Sequence, residues 1–156
     1  MTLRGMQELL AEHPLFRDFE ADSLERLADC ARNERHRKGE TIFREGESAE
    51  RVYILRRGDV ALEMAAPGRA PLVVETLHAG DVLGWGWLVP PYRAMADARA
   101  QTEVGLVGLD AACVRRKCDE SPAIGYQMFK AWLPHLSARM RAQRLALLDL
   151  YGRDAG

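Results

Sequence analysis

Val52-Tyr53-Ile54-Leu55-Arg56-Arg57-Gly58-Asp59-Val60-Ala61-Leu62-Glu63-Met64 carries two apolar runs on either side of Arg57-Gly58-Asp59. Such runs suit a pleated, buried surface, and Gly-Asp supplies the backbone freedom of a tight turn, so the stretch predicts strand, turn, strand. The pattern repeats outward. Leu72-Val73-Val74-Glu75-Thr76 and Val104-Gly105-Leu106-Val107 are further short β-rich runs, and Pro67-Gly68 and Ala79-Gly80-Asp81 are further turns. Many short strands with regular turns predict a mainly β protein, a sandwich or jelly-roll barrel.

Helical patterning flanks this region. Met6–Leu10 and Ala21–Ala31 predict short helices, with Leu24, Leu27 and Ala28 at helical spacing behind an Asp22 or Ser23 cap. After Leu109, Asp110 can cap a helix over Ala111–Asp119, and Ser121-Pro122 opens a long one, since proline is tolerated in a first turn. Within it Tyr126, Phe129, Leu133, Leu136, Met140, Gln143, Leu147 and Leu150 alternate spacings of three and four, the seam of a left-handed coiled coil. A barrel end covers only a few turns of helix, so the seam predicts a homodimer through the 122–151 helix. The alternative is a helix lying on its own barrel. Pro134 is expected to kink this helix, and Arg139, Arg141 and Arg144 to form a solvated flank. The expected organisation is one domain over 1–156: N-terminal helices in 1–38, a β-barrel in 39–109 and C-terminal helices in 110–152.

Composition bounds the function. The 156 residues are 47% hydrophobic and 29% charged, which is globular, and a formal charge of -1 gives no overall pull toward nucleic acid or membrane. No apolar run approaches the roughly 20 residues of a membrane span, and Met-Thr-Leu-Arg-Gly-Met has no signal-peptide core, so a cytoplasmic protein without a membrane partner is expected. Cys30, Cys113 and Cys118 are odd in number, and free thiols are the expectation. Cys113 and Cys118 lie five apart on a helix, and His13, His36, His78 and His135 are scattered, so no metal site is expected.

From His13-Pro14-Leu15-Phe16, through Lys38-Gly39-Glu40-Thr41-Ile42-Phe43-Arg44-Glu45-Gly46-Glu47 and Val52–Leu55, to Arg57-Gly58-Asp59-Val60, the chain resembles the cyclic-nucleotide-binding domain family. The resemblance covers roughly Pro14–Pro122 and includes spaced glycines at 39, 46, 58, 80 and 84. It implies the jelly-roll barrel with a long C-terminal dimerisation helix, and a non-catalytic regulatory or sensor role. Transcription factors that resemble this domain follow the long helix with a helix-turn-helix. Here the sequence ends at Tyr151-Gly152-Arg153-Asp154-Ala155-Gly156, and no DNA partner is expected.

In that family a glycine-containing turn aims backbone N–H groups at the ligand's phosphate. Its motif runs glycine, glutamate, apolar, small, apolar, a variable loop, then an arginine and a small residue. The matching stretch is Gly84-Trp85-Gly86-Trp87-Leu88, then Val89-Pro90-Pro91-Tyr92, then Arg93-Ala94. Arg93 inherits the phosphate role by this resemblance, since a guanidinium offers paired donors; the alternative is an internal salt bridge. Trp85 replaces the glutamate that would accept from the ribose 2′-hydroxyl. An indole only donates, and an unpaired buried hydroxyl costs on the order of 1–3 kcal/mol, so ordinary cyclic AMP binding is expected to be weak. Trp85 and Trp87 either stack on a ligand ring or fill the old pocket.

The same segment is similar, more loosely, to stand-alone members found beside bacterial redox enzymes, including the accessory subunit of NAD-reducing hydrogenases. That likeness implies a cyclic nucleotide or an NAD(P)-type dinucleotide as ligand, or a redox enzyme as protein partner. The competing function is a ligand-free interaction subunit with a filled pocket. An enzyme is not expected: His78 stands between Leu77 and Ala79 without the His-x-His of metal-binding barrels, and no nucleophile–histidine order is present.

Overall fold

A computed structural model describes residues 3–154. Met1-Thr2 and Ala155-Gly156, on which the expectations about the two chain ends partly rest, lie outside the described residues. In chain order the elements are α1 (Leu3–Glu12), a single 3-10 turn (Pro14–Phe16), α2 (Ala21–Ala28), β1 (Ala31–His36), β2 (Thr41–Phe43), β3 (Arg51–Arg57) and β4 (Val60–Met64). There follow β5 (Leu72–Leu77), β6 (Val82–Leu83), a second 3-10 turn (Trp85–Trp87), β7 (Asp97–Ala100), β8 (Val104–Asp110), α3 (Ala111–Glu120) and α4 (Pro122–Asp154). The strands make two four-stranded sheets, ordered β1-β8-β3-β6 and β2-β7-β4-β5, with every pair antiparallel. This is the expected jelly roll with flanking helices.

Two apolar clusters explain the strand patterns. Tyr53, Leu55, Val60, Leu62, Leu77, Leu83, Ala98, Ala100, Val104 and Leu106 form one cluster. Val52, Ile54, Val107 and Leu109 join helical residues such as Leu10, Phe16, Leu27, Val114, Met128 and Trp132 in the other. Successive residues of β3 therefore serve opposite faces, and Val52–Leu55 is apolar without alternation because both faces are covered. The β3–β4 turn depends on Gly58, whose φ is +86° and where a methyl would run into the Glu103 carbonyl.

Several expectations give way. Ala31–His36 was placed among the N-terminal helices, yet pairs with β8 from Ala31↔Leu109 to His36↔Val104. Its sequence, Ala-Arg-Asn-Glu-Arg-His, has no apolar period; the ladder holds it, and Glu34 gathers Arg32 at 3.2 Å and Arg51 at 3.3 Å. The N-cap of α2 is Glu20, without a side-chain cap bond, in place of Asp22 or Ser23. Asp110 caps α3 as expected, accepting from the Cys113 N–H at 2.8 Å. The helix α4 is assigned as one element across Pro134, so the proline at which a kink was expected does not end it.

Cys30 and Cys113 form a disulfide with Cα atoms 5.6 Å apart, and Cys118 alone is a free thiol. The expectation of three free thiols fails because the pair is 83 residues apart in sequence and meets only after β1 aligns with β8. The Asp110 N–H then donates to the Cys30 carbonyl at 2.9 Å, which sets the start of α3 beside Cys30. Among the described residues no helix is long and apolar enough to cross a membrane, and no cluster of three His, Cys, Asp or Glu side chains is placed to hold a metal.

Candidate functional site

The turn after β6 is shaped by two glycines. Gly84 has φ of +91°, and a Cβ there would lie 2.8 Å from the Arg51 carbonyl, so the chain lies flat on β3. At Gly86 a Cβ would collide with the Arg93 carbonyl, which lets the returning loop close over the turn. Trp85 and Trp87 are 8% and 2% exposed, and both meet Trp132 of α4 edge-on, with ring centroids 5.0 and 5.8 Å away. Of the two alternatives for these indoles, both are packed into the helix-side core. Trp85 also presents a wall to a cavity.

The loop from Val89 to Tyr92 contains a cis Pro90-Pro91 bond and places Tyr92 at φ of 58°. Its exit is fixed by backbone pairing: the Ala49 N–H donates to the Tyr92 carbonyl at 2.8 Å, and Ser48 bridges Arg93. The Arg115 guanidinium of α3 lies 4.0 Å over the Tyr92 ring and donates to the Trp87 carbonyl at 3.0 Å, so one side chain clamps both ends of the loop.

Two cavities share the wall formed by Phe43, Gly84 and Ala94. The first, about 260 Å³, lies between the turn, β4, β5 and α4, and is walled by Leu62, Met64, Val74, Trp85, Leu136 and Met140 among others. The second, about 350 Å³, is lined by Ile42, Ser48, Arg51 and Tyr53, with Glu47 and Glu50 adding negative charge. Burial pushes the Tyr53 phenol above its ordinary pKa, and the charge of Glu34 adds to this, while Arg51 opposes it.

Of the residues expected at the site, Gly84, Trp85, Gly86, Leu88 and Ala94 line the first cavity; Trp87 and Arg93 do not. Arg93 is exposed, donates to the Gly46 carbonyl at 3.1 Å, and has no carboxylate partner among the described residues. It sits beside the second cavity, since its bridging partner Ser48 and the neighbouring Glu47 line it. His78 bonds Asp59 at 2.7 Å on an exposed turn and lines neither cavity.

The residues that close the first cavity come from α4. Leu136, Arg139, Met140 and Gln143 face it, whereas the sequence placed three of them on a dimer seam and Arg139 on a solvated flank. Arg139 is only 18% exposed; it reaches Glu75 of β5 through Nη2 at 2.9 Å and Nε at 3.1 Å, and lies 6.0 Å over the Trp85 ring. Its charge is therefore offset within the cavity wall. The signal that could have found this face is Ile124, Met128, Trp132 and Leu136 at four-residue spacing, the stripe with which α4 docks on its own domain. Tyr126, Phe129, Leu133, Leu147 and Leu150 stay exposed on the rest of the helix.

Residues 33–121 match the cyclic nucleotide-binding domain family. The chain is 27% identical over 149 residues to a CRP-like cAMP-activated global transcriptional regulator of Mycobacterium tuberculosis, covering 96% of this chain and 65% of that protein's length. In structure it is similar to a cyclic nucleotide-binding domain of Methylobacillus flagellatus, with a TM-score of 0.78 at 17% identity over 94% of this chain and 83% of that one. It is also similar to the sensor domain of the transcriptional regulator DNR of Pseudomonas aeruginosa, with a TM-score of 0.71 at 23% identity, covering 92% and 93% of the two chains. With this match from within β1 through the glycine turn to the end of α3, the chain belongs to the cyclic nucleotide-binding domain family.

Proposed function

We propose that the chain is a non-catalytic sensor module that takes a phosphate-bearing nucleotide of non-standard type and signals as a homodimer through α4. The observation that carries this reading is the position of the first cavity, whose floor is the glycine turn and whose cover is α4. A ligand there touches Leu136, Arg139 and Met140 on the same helix that exposes Phe129, Leu133 and Leu147, so occupancy and dimer contact share one rigid element. The phosphate would sit at the Gly84–Ala94 wall, next in sequence to Arg93, whose guanidinium has no carboxylate partner among the described residues. The apolar cavity next to it suits a base or nicotinamide ring, and the compensated Arg139 makes it unsuited to a second anion. Trp85 supplies no acceptor for a ribose hydroxyl, which supports a ligand other than cyclic AMP. A formal charge of -1 supports protein partners over DNA.

Burial of Trp85 and Trp87 against Trp132 favours a second reading, an interaction subunit that needs no ligand. Calorimetry with cyclic AMP, cyclic GMP and NAD⁺ separates the two. The sensor reading expects weak or absent cyclic AMP binding by the wild type and a tenfold or greater loss of the bound ligand in Arg93→Ala, in line with roughly 1.5–3 kcal/mol for a charged hydrogen bond. It also expects a gain for cyclic AMP in Trp85→Glu. Tight cyclic AMP binding by the wild type overturns the ribose argument, and indifference to Arg93→Ala overturns the phosphate site. Silence with all three compounds supports the ligand-free subunit.

A further inference from the structure

The disulfide lies one helical step from the contacts that hold the glycine turn. Cys30 is buried where α2 gives way to β1, and Cys113 is half-buried in the first turn of α3. Two residues further along α3, Arg115 holds the Trp87 carbonyl and the Tyr92 ring. The ion pairs between α3 and the N-terminal segment are weak, Lys117 to Asp29 at 3.9 Å and Arg26 to Glu120 at 3.5 Å, the latter pair well exposed, while Ala111 and Val114 pack with Leu24 and Leu27 in the helix-side cluster. The covalent bond adds to this packing and fixes the first turn of α3, two residues before Arg115, to the start of β1.

We propose that Cys30–Cys113 is a redox-modification site, reduced by a dithiol, that sets the order of the Gly84–Arg93 segment through Arg115. A thiolate of the reductant attacks the more accessible sulfur, that of Cys113; the S–S bond breaks and Cys30 leaves as a thiolate that takes up a proton. The reductant's second thiol then attacks its own sulfur in the mixed disulfide, releasing the Cys113 thiol. The protein gains two electrons and two protons, and the reductant becomes a disulfide. Cys118 does not compete: burial, with the neighbouring Asp119 charge, raises its pKa and keeps it protonated. The effect on the turn does not require a ligand, so it stands or falls separately from the sensor reading.

The test is amide hydrogen exchange of the full chain before and after dithiothreitol, with thiol counting by mass. One thiol is expected in the denatured, unreduced protein and three after reduction. Exchange at Trp85–Leu88 and Tyr92 should rise tenfold or more on reduction, while β4 keeps its protection. Cys30→Ala/Cys113→Ala should exchange as the reduced protein does and ignore dithiothreitol. Arg115→Ala should loosen the turn with the disulfide intact. Three free thiols before reduction, an unchanged turn, or loss of protection in β4 as well would each overturn the proposal, the last by showing a general staple.

Discussion

Truncating Trp132 to alanine tests the claim that α4 is held by its buried stripe. Trp132 is fully buried and is the shared edge-on partner of Trp85 and Trp87 at 5.0 and 5.8 Å. Large-to-small changes of a buried tryptophan cost about 3–5 kcal/mol, and the two aromatic pairs, each contributing about 0.5–1.5 kcal/mol beyond area, place this site at the upper end, about 5 kcal/mol. Set against about 5–15 kcal/mol for a whole domain, that loss is a third or more of the stability. It falls on the helix-side cluster and spares the cluster between the sheets, in which Trp132 takes no part. Urea unfolding followed by far-ultraviolet circular dichroism should therefore show helix loss well before strand loss in Trp132→Ala. Trp132→Phe should recover roughly half of the difference, and Arg141→Ala on the exposed side should stay within about 0.5 kcal/mol of wild type. A loss below about 2 kcal/mol for Trp132→Ala, or one cooperative transition indistinguishable from wild type, would refute the docking argument.

The exposed stripe of α4 predicts that Phe129→Lys with Leu133→Lys splits the proposed dimer without unfolding the sheets; light scattering should read twice the 17.5 kDa chain mass for wild type and the single mass for the variant. In a double-mutant cycle, Arg139→Ala and Glu75→Ala should show a coupling of about 1 kcal/mol in urea, above that of an exposed pair because both side chains are at most 20% exposed. Zero coupling would remove the ion pair as a tie between α4 and β5. His13 accepts from the Leu15 N–H at Nδ1, 3.0 Å, so its Nε2 donates to the Gly80 carbonyl at 2.8 Å, and this requires the neutral ring. Burial lowers its pKa below 6.5, with His135 adding to the shift while the Gly80 bond and Asp81 oppose it. Because the folded value is the lower one, the stabilisation is complete above pH 6.5 and declines as pH falls toward the folded value; urea midpoints should drop over that interval in wild type and less in His13→Gln. Gly58→Ala should lower stability by about 2–4 kcal/mol through its positive φ and the Glu103 carbonyl, readable as a fall in melting temperature.

The strands β3, β4, β5 and β8 were legible because runs such as Val52–Leu55 and Val60–Met64 are apolar and bounded by Gly-Asp turns, information that is local in the chain. So were the Asp110 cap and the long α4, and the glycine motif pointed to the turn that the fold places between the two cavities. What sequence could not supply depends on which distant groups meet. β1 is polar after Ala31 and exists because β8 offers it a ladder. Cys30 finds Cys113 across 83 residues once that ladder has formed. Arg139 looked solvated because no charge near it in sequence opposes it; its partner Glu75 lies 64 residues away on β5. The division has one physical cause: periodicity and turn chemistry act over a few residues, whereas pairing, burial and charge compensation are set by neighbours in space, and those exist only once both sheets and α4 have packed.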